Sequence, residues 1–157
     1  MGTDIAVREA SDADLQGLIA LDEIARSSHE RAEQISKWIV AGHAVVAEVE
    51  GRPVGYAVLD HSFYDRGFIP MLYVAENRRR EGIGSALLRE LESRCRTDKL
   101  FTSTNRSNRP MQSLLAREGY VRCGYIDQLD PGDPELIFVK ILRAAGAEDL
   151  DIALPDL

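Results

Sequence analysis

The stretch Met71-Leu72-Tyr73-Val74-Ala75-Glu76-Asn77-Arg78-Arg79-Arg80-Glu81-Gly82-Ile83-Gly84-Ser85-Ala86-Leu87-Leu88 decides how this chain is read. A strand-like apolar run ends in a polar, glycine-bearing loop and passes straight into a helical pattern through Ile83, Leu87, Leu88, Leu91 and Cys95. The first turn of any helix leaves its backbone N–H donors unpaired, so such a junction forms a concavity suited to an anion. Gly82 and Gly84 would let a pyrophosphate approach the backbone closely, and Arg78, Arg79 and Arg80 add positive charge. A plainer reading stands beside this one: Gly-x-Gly at a helix start also serves close packing, and basic triplets also serve as solvated surface. Two nucleotide motifs fail on residues, since a dinucleotide fingerprint needs glycine where Leu87 stands and a P-loop needs Gly-Lys-Ser/Thr.

Working outward toward the N-terminus, residues 68–74 form the apolar strand, in which Pro70 cannot donate a ladder hydrogen bond and implies a bulge or an edge. Before it, residues 43–50 and 54–59 read as a hairpin across the Gly51-Arg52-Pro53 turn, followed by a polar stretch at 61–67. Residues 3–8 read as a first strand. Ser11 or Asp12 then caps a helix with Leu15, Leu18, Ile19 and Leu21 at helical spacing, and a second helix over 30–41 carries Ile35, Trp38 and Ile39 on one side and stops at Gly42. Toward the C-terminus, the helix from Gly82 has Glu90/Arg94 and Glu92/Arg96 as i,i+4 pairs, and residues 99–104 form a short strand. Asn108 or Ser107 caps a further helix with Pro110 in its first turn and Gly119 as its left-handed stop; strands at 120–126 and 136–141 complete the order. The pattern predicts an α/β (α+β) domain over residues 1–142, a mixed, mostly antiparallel sheet of about six to seven strands flanked by about four helices. An acidic, weakly patterned tail over 143–157 follows.

With 157 residues the chain fits one domain, and a hydrophobic content of 45% matches a globular protein without a run long enough to span a membrane. A net charge of -7 argues against a nucleic-acid surface, so any anion must be held locally. Cys95 and Cys123 lack metal or redox spacing, and His29-Glu30 lacks the second histidine of a zinc helix, so no metal is expected. The start carries no basic, apolar signal pattern, and a cytoplasmic location is the expectation.

The quoted stretch closely resembles the acetyl-coenzyme A signature of the GNAT superfamily, a strand followed by Arg/Gln-x-x-Gly-x-Gly/Ala, here Arg79, Gly82 and Gly84. Asn105-Arg106-Ser107-Asn108-Arg109-Pro110-Met111, closing with Glu118-Gly119-Tyr120, resembles the family's second cofactor segment, and the likeness extends to about Leu142. It implies acetyl transfer from acetyl-CoA to a primary amine of a small molecule or protein, by direct attack through a tetrahedral intermediate. On this resemblance the cofactor lies against Leu72, Tyr73, Val74, Arg79, Arg80, Glu81, Gly82, Ile83, Gly84, Ser85, Asn105 and Asn108, with the N–H of Leu72 or Tyr73 polarising the thioester carbonyl. Family members often pair, so a homodimer is among the expectations, with neither nucleic acid nor membrane as partner.

Two departures from the family pattern concern catalysis. Leu115 stands where many members carry a tyrosine acid, leaving Tyr73, Tyr120, Tyr125 or water to protonate the thiolate. No glutamate occupies the strand at 68–71, so the base falls to His61, Asp60, Asp65, Asp127 or a water chain. Asp127, Asp130 and Asp133 make a turn that also offers negative charge to a cationic acceptor. Two other readings follow from these departures: a non-catalytic or regulatory acyl-CoA binding module, and an acyltransferase using a longer or carrier-delivered acyl donor.

Overall fold

The computed structural model describes residues 4–143; the tail expected over 143–157 lies, beyond its first residue, outside them. Among these residues seven strands form one sheet: β1 (Ile5–Glu9), β2 (Ala44–Val49), β3 (Arg52–Phe63), β4 (Arg66–Val74), β5 (Lys99–Asn105), β6 (Val121–Ile126) and β7 (Glu135–Ile141). Their spatial order is β1-β2-β3-β4-β5-β7-β6, antiparallel throughout except for the parallel pair β4 and β5. Among the described residues four α-helices accompany them: α1 (Leu15–Leu21), α2 (His29–Val40), α3 (Ile83–Arg94) and α4 (Arg109–Arg117).

Side-chain alternation along the central strands feeds two cores. On one face Val45, Ala47, Ala57 and Leu59 pack with Ile83, Leu87, Leu88 and Leu91 of α3 and Leu115 of α4. On the other, Ala44, Val46, Tyr56 and Val58 pack with Leu18 of α1 and Ile35 and Ile39 of α2. Three helix ends have an identifiable cause. Ser28 Oγ caps α2 by accepting from Arg31 N–H at 3.2 Å, Asn108 Oδ1 caps α4 by accepting from Met111 N–H at 3.2 Å, and Gly119 ends α4 at φ 89°.

Two sequence expectations change. The polar stretch at 61–67 is mostly strand: β3 runs on to Phe63 and β4 starts at Arg66, with only Tyr64 (φ 50°) and Asp65 (φ 63°) turning between them. A two-residue turn with both φ values positive ordinarily announces itself with glycine or asparagine, and this one carries neither. The expected Glu92/Arg96 pair is absent because α3 ends at Arg94. Glu92 instead accepts from Tyr120 Oη and Lys140 Nζ, both at 2.9 Å, while Glu90 and Arg94 do pair at 2.9 Å.

Pro70 sits at a bulge. Val58 registers with Met71 but Asp60 with Phe68, so β4 has one residue more than β3 across this interval. Immediately beyond it β4 and β5 part.

Candidate acyl-donor site

The site begins where two strands separate. β4 registers with β5 only at Gly67, Phe68 and Ile69, against Leu100, Phe101 and Thr102, and Thr102 Oγ1 closes the pairing by donating to the Ile69 carbonyl at 3.0 Å. Beyond this point the β5-facing edge of β4 has no strand partner among the described residues. On its other edge β4 stays paired with β3, from Val58↔Met71 to Gly55↔Val74, and Ala75 N–H donates to the Val54 carbonyl at 2.9 Å. Antiparallel alternation therefore turns the main-chain groups of Met71, Tyr73 and Ala75 toward β3 and those of Leu72 and Val74 toward the gap. Of the two N–H groups expected to meet a thioester carbonyl, the Leu72 donor is the free one.

Beyond β4 the chain makes a short 3-10 turn (Glu76–Arg78) and reaches α3 through two left-handed residues, Arg80 (φ 68°) and Gly82 (φ 85°). The first helical bond is Ala86 N–H to Gly82 carbonyl at 3.0 Å, and no N–H of residues 79–85 donates to a protein acceptor among the described residues. This row of free donors lies at the positive end of a 12-residue helix. Arg78 pairs with Glu81 of the same loop at 3.0 Å, whereas Arg79 and Arg80 are exposed and without an ion-pair partner among the described residues. The loop thus keeps two uncompensated guanidinium groups.

The two glycines differ in purpose. A Cβ on Gly82 would meet nothing within 4 Å, so its glycine is required by backbone conformation and leaves the mouth of the turn open. A Cβ on Gly84 would lie 2.7 Å from Leu114 Cδ2, so that glycine lets α3 approach α4. Gly55 serves likewise on β3, beneath Ile83 and Leu87.

The second segment is largely occupied with holding itself together. Asn105 spends its amide donors on Asp130 Oδ2 (2.9 Å) and the Asp133 carbonyl (3.2 Å), and Asp133 accepts from Ser107 N–H and Oγ at 3.0 and 2.5 Å. The Ser107 hydrogen bonds hold the Asp133 carboxyl below its usual range. Asp130 and Asp133 clamp the β6–β7 loop onto the start of α4, which accounts for their spacing. Asn108 uses Oδ1 as the cap and retains its amide donors.

The candidate acid and base residues separate by face. His61 lies on the α3 side, where Nε2 accepts from Arg96 N–H at 3.1 Å, past the C-terminal end of α3 and a helix length from Gly82. Burial, together with the Arg96 charge, lowers its pKa, so it is held as a neutral acceptor. Asp60 lies on the opposite face, registered with Phe68 just below the strand separation, with Oδ1 accepting from Ser62 N–H (3.1 Å) and Oγ (2.6 Å). Tyr120 is buried and donates to Glu92, and burial followed by that carboxylate raises its pKa. Tyr125 is 60% exposed on the edge strand β6. Tyr73 borders a cleft of about 420 Å3 shared with Leu21, Glu23, Arg26, Glu76 and Asn77, and its Oη accepts from Glu23 N–H at 3.2 Å. Leu115 is fully buried in the core.

One charged network went unnoticed in the sequence. Asp22, wholly buried at the end of α1, accepts from Tyr56 Oη (2.6 Å), Arg31 Nη1 (2.9 Å) and the N–H groups of Ile24 and Ala25 (2.9 and 3.2 Å). Burial works to raise the Asp22 pKa, but the Tyr56, Ala25 and Arg31 hydrogen bonds together bring it below the ordinary value. Burial and the adjacent Asp22 push the Tyr56 hydroxyl up. The network fixes the connection between α1 and α2 that carries Glu23 and Arg26. Its partners lie 9 and 34 residues from Asp22, so no local pattern announces it.

Among the described residues no helix is long and apolar enough to cross a membrane. The model of the acetyltransferase (GNAT) family matches residues 13–120. Among solved structures, a GNAT-family acetyltransferase from Bacillus cereus ATCC 10987 is 33% identical, with TM-score 0.83 over 88% of this chain and 97% of that one. A ribosomal-protein-alanine N-acetyltransferase from Brucella melitensis is 26% identical, with TM-score 0.71 over 87% of this chain and 99% of that one. YncA from Salmonella typhimurium, solved with its cofactor acetyl-CoA, shares the fold at TM-score 0.73 and 17% identity, over 91% of this chain and 96% of that one. Comparison with curated protein sequences finds no match.

Proposed function

Given that the chain belongs to the acetyltransferase (GNAT) family, we propose that it transfers an acetyl group from acetyl-CoA to a primary amine by direct attack, with no covalent enzyme intermediate. The observation that carries this reading is the run of free N–H groups at residues 79–85 beside the bare main-chain edge of Leu72 and Val74. A diphosphate matches the first feature, through N–H donors backed by Arg79 and Arg80. An extended amide-bearing arm matches the second, pairing with β4 as an added strand.

Acetyl-CoA supplies the acetyl group as an activated thioester. Leu72 N–H is the donor for its carbonyl oxygen, a fixed dipole that strengthens as negative charge develops there. Asp60 draws off the ammonium proton of the acceptor. Four residues of strand, about 13 Å, separate Leu72 from Phe68, the register partner of Asp60, so the proton travels through water. Tyr73 protonates the departing thiolate: its Oη already accepts from Glu23 N–H, which leaves its own proton free to donate. Asn108 and Ser85 complete the polar rim of the donor site.

The buried Leu115 favours a second reading, a module that binds acyl-CoA without turnover. Both readings are tested together. Calorimetry with coenzyme A should give saturable binding that weakens in Arg79→Gln/Arg80→Gln, and mass spectrometry should detect acetylated products after incubation with acetyl-CoA and a panel of primary amines. Saturable binding with every amine left unmodified would select the binding module, and no binding would remove both.

A further inference from the structure

Three phenylalanines stand apart from both cores. Phe63 at the end of β3, Phe68 on β4 and Phe101 on β5 are half-buried, and neither core contains them. They nevertheless contact one another: the Phe63 ring centroid lies 5.3 Å from that of Phe68, stacked, and 5.0 Å from that of Phe101, tilted. Tyr64, 77% exposed, meets Phe63 edge-on at 5.1 Å and extends the group to the rim. Aromatic carbon left half in water beside two well-packed cores forgoes part of the free energy that full burial would give, and a contiguous apolar group of this kind marks a contact surface.

Its position identifies what it contacts. Phe68 and Phe101 are register partners, one residue before the last pair that joins β4 to β5. Ile69 and Leu100, their chain neighbours, point into the α3 core, so the phenylalanines project from the opposite face. That face is covered over β2 and β3 by α1 and α2, and the aromatic group lies beyond them. Asp60 belongs to the same face as the register partner of Phe68, and its Oδ2 has no hydrogen-bond partner among the described residues. An apolar shelf therefore borders the opening of the strands, with one under-used carboxylate at its edge.

We infer that the Phe63, Phe68 and Phe101 shelf receives the carbon skeleton of the acceptor, making this protein selective for primary amines that carry an aromatic or large apolar group close to the nitrogen. The inference rests on the acetyl-transfer reading above and adds the substrate class. The ring stacks on Phe68 and Phe101, an arrangement that aromatic pairs favour at centroid separations like those already present, and the amine reaches from there toward the Leu72 edge, with water linking it to the Asp60 carboxylate. A short hydrophilic amine meets the same water-linked carboxylate but leaves the shelf wet. The shared chemistry allows a free arylalkylamine or a peptide whose first residue is aromatic.

The test measures coenzyme A release from acetyl-CoA with 2-phenylethylamine, ethanolamine, spermidine, and two peptides beginning with Phe and with Ser. The aromatic members of each kind should exceed their hydrophilic counterparts in kcat/KM by about tenfold or more. The free amine exceeding the Phe peptide, or the reverse, identifies the source. In Phe101→Ser and Phe68→Leu, calorimetric affinity for coenzyme A should stay at the native value while KM for the favoured amine rises. Equal kcat/KM for aromatic and hydrophilic amines in the native protein overturns the shelf inference and leaves acetyl transfer standing. Turnover of no amine at all overturns both. The comparison across acceptors uses the native protein, so it decides even if a variant fails to fold.

Discussion

Replacing Gly55 with alanine tests whether the position of α3 governs the donor site. The added Cβ would lie 2.8 Å from the Tyr73 carbonyl oxygen, 3.1 Å from Ile83 Cγ2 and 3.2 Å from Leu87 Cδ1. The carbonyl belongs to the β3–β4 ladder and yields only by distorting it, while the two side-chain contacts are relieved by α3 moving outward. Overpacking of this kind costs about 1–3 kcal/mol, offset by about 0.5–1 kcal/mol from removing a strand glycine. A net loss of about 1–2 kcal/mol lowers the melting temperature by about 2–8 °C in a domain of this size. Ile83 and Leu87 are in the first turns of the helix whose N–H groups face the site, so coenzyme A affinity should fall with stability. Gly51→Ala is the control. Unlike Gly55 it sits at positive φ (75°), and its Cβ would meet nothing within 4 Å, so the substitution should cost about 1–2 kcal/mol through backbone strain alone, with affinity unchanged. Thermal melts and calorimetry on both variants decide the matter: a Gly55→Ala protein with native affinity would refute the coupling of α3 packing to the site.

Arg79→Gln/Arg80→Gln should melt like the native protein, since both residues are exposed and unpaired among the described residues, while losing coenzyme A affinity and much of its salt dependence. Native affinity in calorimetry across a salt series would contradict this. Asp22→Ala leaves Arg31 and Tyr56 without their buried acceptor and should destabilise by about 3–5 kcal/mol, read by urea titration. A loss below about 1 kcal/mol would mean water replaces the carboxylate. His61 has a folded pKa below its unfolded value of about 6.5, so the unfolded chain takes the proton first. Its contribution to stability is therefore full above that pH and declines as pH falls below it. His61→Gln should flatten the stability profile as pH falls below about 6.5, and an unchanged slope there would reject the assignment. Leu115→Tyr inserts a hydroxyl and extra volume at a fully buried site, so it should destabilise by about 1–3 kcal/mol without raising kcat, and a faster enzyme would show that the position faces substrate.

Local chemistry made much of this protein legible from its residues alone. Apolar periodicity set the order of the seven strands and four helices among the described residues, Asn108 and Gly119 marked the ends of α4, and the Arg/Gly junction marked the start of α3. Each of these depends on neighbours within a few positions, where spacing and backbone preference act directly. The different duties of Gly82 and Gly84 emerged only when Leu114, thirty residues from Gly84, came to rest against α3. Likewise, strand register sent His61 to Arg96 and Asp60 to the opposite face, turned Leu72 rather than Tyr73 toward the gap, and drew Asn105 into holding a loop. Periodicity tells a residue which side of its own strand it occupies, but what waits on that side is set by pairing between distant segments. The phenylalanine shelf illustrates the division. Phe63, Phe68 and Phe101 look like ordinary core residues along the chain, and only the assembled sheet leaves them outside both cores formed by the described residues.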